Sequence, residues 1–119
     1  MAKILIVDDS KTSRKILRNI LEDSGHEVVG EAINGEEAVV KYKELQPDIT
    51  TMDITMPVMD GLQALKEIMD TDKNAKVVMV TAAGQKTKMV DAIKYGAVEF
   101  LTKPFEAEQI IKIISKVLD

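Results

Sequence analysis

The stretch Ile49-Thr50-Thr51-Met52-Asp53-Ile54-Thr55-Met56-Pro57-Val58-Met59-Asp60-Gly61 decides the fold. Its first half, Ile49 to Ile54, is a short β-branched run that reads as a strand, and it carries a carboxylate near its end. Pro57 and Gly61 mark the loop that follows. Leu62, Leu65, Ile68 and Met69 then recur at helical spacing. Strand, acid, loop and helix make one βα unit, and the chain alternates in the same way on both sides of it.

Upstream, Ile4-Leu5-Ile6-Val7 is continuously apolar, as expected of a strand covered on both faces. Ile16, Leu17, Ile20 and Leu21 form one helical stripe, ended by Gly25. Glu27 to Ala32 reads as a second strand, less apolar and so nearer an edge. Asn34-Gly35 opens a helix with Ala38, Tyr42 and Leu45 on its inner face, stopped by Pro47. Downstream, Val77-Val78-Met79-Val80 is a fourth buried strand. Met89, Val90, Ile93 and Ala97 mark a fourth helix, closed by Gly96. Val98 to Leu101 gives a fifth strand, Pro104 breaks it, and Ile110, Ile111, Ile114, Val117 and Leu118 line a last helix. Five βα units imply a doubly wound five-stranded parallel sheet with five helices on its two faces. Its ligand site then lies at the carboxyl ends of the strands.

The whole chain narrows the function classes. Its 119 residues have the length of one domain, spanning 1–119 with no repeat or linker. No apolar run approaches the ~20 residues that cross a bilayer, and no secretory leader opens the chain. The absence of cysteine removes disulfides and thiol catalysis, and it fits a cytoplasmic setting. A net charge of −4 argues against nucleic-acid binding through a basic surface. With no Trp, two Phe and two Tyr, stacking on bases or flavin is poorly supplied.

At the strand ends stand Asp8-Asp9, Asp53, Thr81 and Lys103-Pro104. Taken singly, each has a plain reading: a helix cap, a turn residue, a strand residue, a solvated lysine, a strand breaker. Their coincidence on one side of one sheet does not. Strands one and three are neighbours at the switch point, so Asp8, Asp9 and Asp53 should converge. Three such carboxylates repel unless a cation is present, and an all-oxygen pocket suits Mg2+. That ion plus Lys103 would balance their charge. A carboxylate in this setting can attack phosphorus, with the metal and Lys103 neutralising the transferring oxygens. The Thr81 hydroxyl could donate to the resulting acyl phosphate, and a cis Lys103-Pro104 bond would aim the lysine inward.

Ile4 to Ser10, Met52 to Gly61, Val80-Thr81-Ala82-Ala83 and Phe100 to Phe105 together make the chain resemble the receiver domain of two-component response regulators over its whole length. The flavodoxin-like strand order 2-1-3-4-5 is the one that CheY-type receivers illustrate, so the resemblance carries it as much as the strand pattern does. The resemblance implies that Asp53 is the phosphoacceptor. Asp9 would ligate the metal directly, Asp8 mainly through water, and the Thr55 backbone carbonyl would be the remaining protein ligand. Thr81 and Lys103 match the family's hydroxyl and lysine, with Pro104 as the usual cis proline. Phe100 occupies the aromatic switch position, where Tyr is common, and so lacks a hydroxyl for partner contacts. Thr55 and Ala83 flank the site and would tune the lifetime of the phosphoryl group.

Because the chain ends just after its last helix, output is expected through binding rather than through an attached domain. Ala82-Ala83-Gly84-Gln85 and the methionines Met52, Met56 and Met59 look most like stand-alone chemotaxis receivers. The implied partners are a CheA-like sensor histidine kinase, a flagellar motor switch protein and a phosphatase, acting on a monomer. A phosphorelay intermediate, or a receiver excised from a larger regulator, is the alternative within the family. A flavodoxin-like cofactor binder and an aspartyl phosphatase are alternatives from other classes. Asp8-Asp9 would repel a phosphate in the first, and the second would carry its nucleophile after the first strand. His26, away from any strand end, reads as a surface residue.

Overall fold

A computed structural model describes residues 1–119. Five strands alternate with five helices: β1 (Lys3–Val7), α1 (Lys11–Asp23), β2 (Glu27–Ala32), α2 (Gly35–Leu45), β3 (Ile49–Asp53), α3 (Gly61–Thr71), β4 (Val77–Thr81), α4 (Lys86–Tyr95), β5 (Glu99–Thr102) and α5 (Ala107–Leu118). All pairings are parallel and the strand order is 2-1-3-4-5, as expected. β2, expected nearer an edge, is one.

Alternation along the strands divides the interior into two cores. Ile4, Ile6, Ile49, Val78 and Val80 face α1 and α5, meeting Leu17, Leu21, Ile110 and Ile114. Leu5, Val7, Met52 and Met79 face the other three helices, meeting Ala38, Tyr42, Leu65, Ile68 and Ala92. Met52, Met56 and Met59 belong to this second core or pack against it, so the methionine cluster fills space.

Three helix starts use side-chain caps. Ser10 Oγ accepts from Ser13 N at 3.2 Å, Asn34 Oδ1 from Glu37 N at 2.8 Å, and Asp60 Oδ1 from Gln63 N at 2.9 Å. The first cap is therefore Ser10 and not Asp8 or Asp9. Gly61 lies so close to the backbone carbonyl of Asp53 that any Cβ there would collide with it, and Gly61 N donates to Ile54 O at 2.7 Å. Glycine is thus what lets the loop after β3 fold back tightly beneath its own carboxylate.

Three helices leave some of the apolar residues that mark them exposed. Val90 and Ile93 are exposed, and Ala92 is the buried residue of α4. Ile111 of α5 and Ile16 of α1 also face outward, while Ile110, Ile114, Leu17 and Leu21 make the contacts. Apolar spacing marks these helices correctly but overstates the width of the stripe that the sheet covers.

Candidate functional site

The carboxyl ends of β1 and β3 bring Asp8, Asp9 and Asp53 together. One ligand oxygen from each lies within 4.8 Å of the others. Asp8 and Asp53 are 3% and 8% exposed, whereas Asp9 faces solvent. Lys103, which follows β5, reaches across: its Nζ is 2.9 Å from Asp8 Oδ2 and 3.4 Å from Asp53 Oδ2. The Lys103-Pro104 peptide is cis.

These charges act on one another. Burial pushes the Asp53 carboxyl above its ordinary value, and the negative charge of Asp8 pushes the same way, against the opposing pull of Lys103. Burial by itself would lower the Lys103 ammonium, but its hydrogen bond to Asp8 and the charges of Asp53 and Asp8 outweigh that and raise it. One half-buried ammonium thus serves two buried carboxylates, and the cluster keeps an excess of negative charge.

That excess fits a hard divalent cation. Every side-chain donor is a carboxylate oxygen, the spacing suits a single ion, and one member faces solvent where waters could complete the shell. Asp8 is heavily committed already: Oδ1 accepts from Ser10 N at 2.8 Å, and Oδ2 holds Lys103. Thr55 is exposed, two residues beyond Asp53.

The switch candidates Thr81 and Phe100 stand on the neighbouring strands β4 and β5. Thr81 is buried at the end of β4, with Oγ1 3.4 Å from Leu101 O, on the side of β5. Phe100 is half-buried and packs on the core containing Met79. A residue that sequence reading passed over is Arg14. Its Nη1 donates to Asp8 O at 2.8 Å and its Nε to Glu31 Oε1 at 2.8 Å, tying the β1 end to α1 and β2. The separation of 17 positions between Arg14 and Glu31 hides this contact from any local pattern. His26 is half-buried, its Nδ1 accepting from Ala2 N at 3.0 Å, rather than free on the surface.

A doubly wound sheet with an acid triad and a lysine at its switch point defines a class, and the chain belongs to it. Residues 4–115 match the response regulator receiver domain. Within that family the chain is similar to chemotaxis receivers. It is 51% identical over 115 residues to the chemotaxis protein CheY of Thermotoga maritima, covering 97% of this chain and 96% of that one. It is 54% identical over 116 residues to the CheY of Listeria monocytogenes, covering 98% of each. Among solved structures, the CheX-CheY-BeF3-Mg+2 complex from Borrelia burgdorferi matches with a TM-score of 0.94 at 40% identity, over 98% of this chain and 89% of that one. The chain thus belongs among the receivers of two-component signalling and is similar there to chemotaxis proteins. No helix is long and apolar enough to cross a membrane.

Proposed function

We propose that the whole chain works as one phosphoacceptor switch, with Asp53 as the acceptor. The observation that carries this reading is the convergence of Asp8, Asp9 and Asp53 within 4.8 Å around the Lys103 ammonium. An Asp53 oxygen bonds to phosphorus as the donor's bond to phosphorus breaks, leaving an acyl phosphate on the side chain. Asp9 directly, Asp8 through water, Asp53 and the Thr55 carbonyl would hold Mg2+. When bound, that ion would neutralise charge on the transferring oxygens. Lys103 orients the same oxygens. The chain needs no other enzymatic activity than this transfer and its own dephosphorylation.

The acyl phosphate adds about −2 charge and three strong acceptor oxygens beside Thr81. Attraction draws the Thr81 hydroxyl away from Leu101 O, and Phe100 fills the space it leaves. The resting 3.4 Å bond is long, so little holds Thr81 in place. Phosphorylation by a CheA-like histidine kinase then alters a surface read by a flagellar motor switch protein, and a phosphatase resets it. The chain acts as a cytoplasmic monomer without a nucleic-acid partner. Identities of 51% and 54% to CheY proteins support the pathway, and the relative crystallised with BeF3 and Mg2+ supports the chemistry.

Intact-mass measurement after incubation with acetyl phosphate and Mg2+ tests the acceptor. Wild type should gain one phosphoryl group, and equal gain by Asp53→Asn would refute the assignment. Thr81→Ala should still be phosphorylated but bind its target weakly. Full output from that variant would sink the coupling.

A further inference from the structure

Gln85 stands outside the machinery described so far, yet both ends of its carboxamide are engaged between the two loops that flank Asp53 and Thr81. Its Oε1 accepts from Ala82 N at 2.7 Å, and its Nε2 donates to Thr55 Oγ1 at 2.9 Å. Ala82 directly follows Thr81, and Thr55 lies two residues beyond Asp53. The amide's orientation is fixed by chemistry. A backbone N–H can only donate, so the oxygen must face Ala82 and the NH2 group must face Thr55. β3 and β4 are neighbours, with Asp53 paired to Val80, so this side chain spans the gap between two adjacent strand ends.

Gln85 is also the residue from which α4 starts. Its carbonyl accepts from Met89 N at 3.0 Å in the first turn. Unlike Ser10, Asn34 and Asp60, it spends no side-chain bond on capping its own helix. The side chain thus grips the phosphorylation loops while the backbone begins a helix whose only buried residue is Ala92. A helix so lightly anchored can shift its first turn without opening the core.

We propose that Gln85 is a positioning residue that carries the state of the Asp53 site into α4 through this two-loop amide bridge. The inference rests on the phosphoacceptor reading and names the residue through which that site acts on one helix. When the end of β4 moves, Ala82 pulls on the Gln85 carboxamide, and the start of α4 follows. Without the amide, the site can still change state, but α4 is released from it.

Backbone amide NMR with beryllium fluoride and Mg2+ as the phosphoryl mimic tests this. In wild type, shift changes should appear at Thr81, Ala82 and Phe100 and along Lys86–Tyr95. In Gln85→Ala the first group should persist, while the changes along α4 fall to less than half. Gln85→Glu should restore them, since one carboxylate oxygen accepts from Ala82 N and the other from the Thr55 hydroxyl. An undiminished α4 response in Gln85→Ala would overturn the proposal. So would failure of Gln85→Glu to rescue, or loss of the Thr81 response together with that of α4. A wild type that does not respond at all, or an Asp53→Asn protein that responds equally, would instead overturn the phosphoacceptor reading and the relay with it.

Discussion

Replacing Asp53 by Asn should stabilise the metal-free protein, although Asp53 is paired with a lysine. Asp8 and Asp53 place oxygens within 4.8 Å, a repulsion of about 3.5 kcal/mol at an effective dielectric near 20. Lys103, 3.4 Å from Asp53, returns about 5 kcal/mol on the same footing. Asp9 is exposed and more strongly screened, and it takes back about 1–2 kcal/mol. These terms nearly cancel, so the desolvation of a carboxylate with a 12%-exposed side chain decides the sign. Asn keeps an oxygen for Lys103, and the ammonium keeps Asp8 at 2.9 Å. The net gain for D53N should be about 1–3 kcal/mol at neutral pH.

The pH dependence follows from the raised Asp53 carboxyl. A folded value above the ordinary 3.8 means that its stabilising contribution is complete below 3.8 and is lost as pH rises through the folded value. The advantage of D53N should therefore shrink as pH falls toward about 4. Urea unfolding in chelator, repeated down the pH range, measures it. Adding Mg2+ should favour wild type, because D53N has lost one of three carboxylates; at tenfold its dissociation constant the metal contributes about 1.4 kcal/mol. A D53N protein less stable than wild type in chelator at neutral pH would refute this balance.

Three further substitutions follow from single features. Thr51 is fully buried with no partner for its hydroxyl, so Thr51→Val should raise stability by about 1 kcal/mol in urea unfolding; a loss of that size would point to a hidden partner. Val58 sits at φ 67 with its side chain 78% exposed, in a tight turn closed by Met59 N and Pro57 O at 2.8 Å. A β-branched residue is strained there, and Val58→Asn should raise the thermal midpoint through about 1 kcal/mol of relief. Burial pushes the Glu31 carboxyl up, but hydrogen bonds from Arg18 and Arg14 outweigh it and hold the value below 4.5. Its contribution is thus present above 4.5 and lost as pH falls through the folded value. Glu31→Gln should cost about 1–2 kcal/mol at neutral pH, with the gap to wild type closing in acid; a gap independent of pH would contradict the ion-pair account.

The residues that made the sheet legible are the β-branched runs, since a strand covered on both faces favours residues that pack without a charge, as Thr50 and Thr51 do in β3. The acids were legible for the converse reason: Asp8 and Asp53 interrupt apolar runs where a buried charge needs a cause, and Asp9 stands next to the first of them. Partners were not legible. Val90 and Ile93 keep helical spacing whether or not anything covers them, so periodicity alone could not show that α4 is held by Ala92. Asp8 could not be denied the cap of α1 until its two oxygens were seen on Ser10 N and Lys103. Arg14 with Glu31, and Gln85 with Thr55, pair residues 17 and 30 apart, where no local pattern reaches.

Lys103 ties these features into one charge argument. Its ammonium lies between Asp8 at 2.9 Å and Asp53 at 3.4 Å, with the shorter contact to Asp8. On the phosphoacceptor reading, a phosphoryl group on Asp53 outweighs Asp8 in charge by about one unit. Lys103 should then turn toward the phosphoryl oxygens, leaving an Asp8 oxygen free to hold metal-bound water. On that reading the ammonium that holds the two acids would become a phosphoryl ligand without leaving the site. Arg14, whose Nη1 donates to the Asp8 carbonyl, should keep the end of β1 in place while the side chain changes partner.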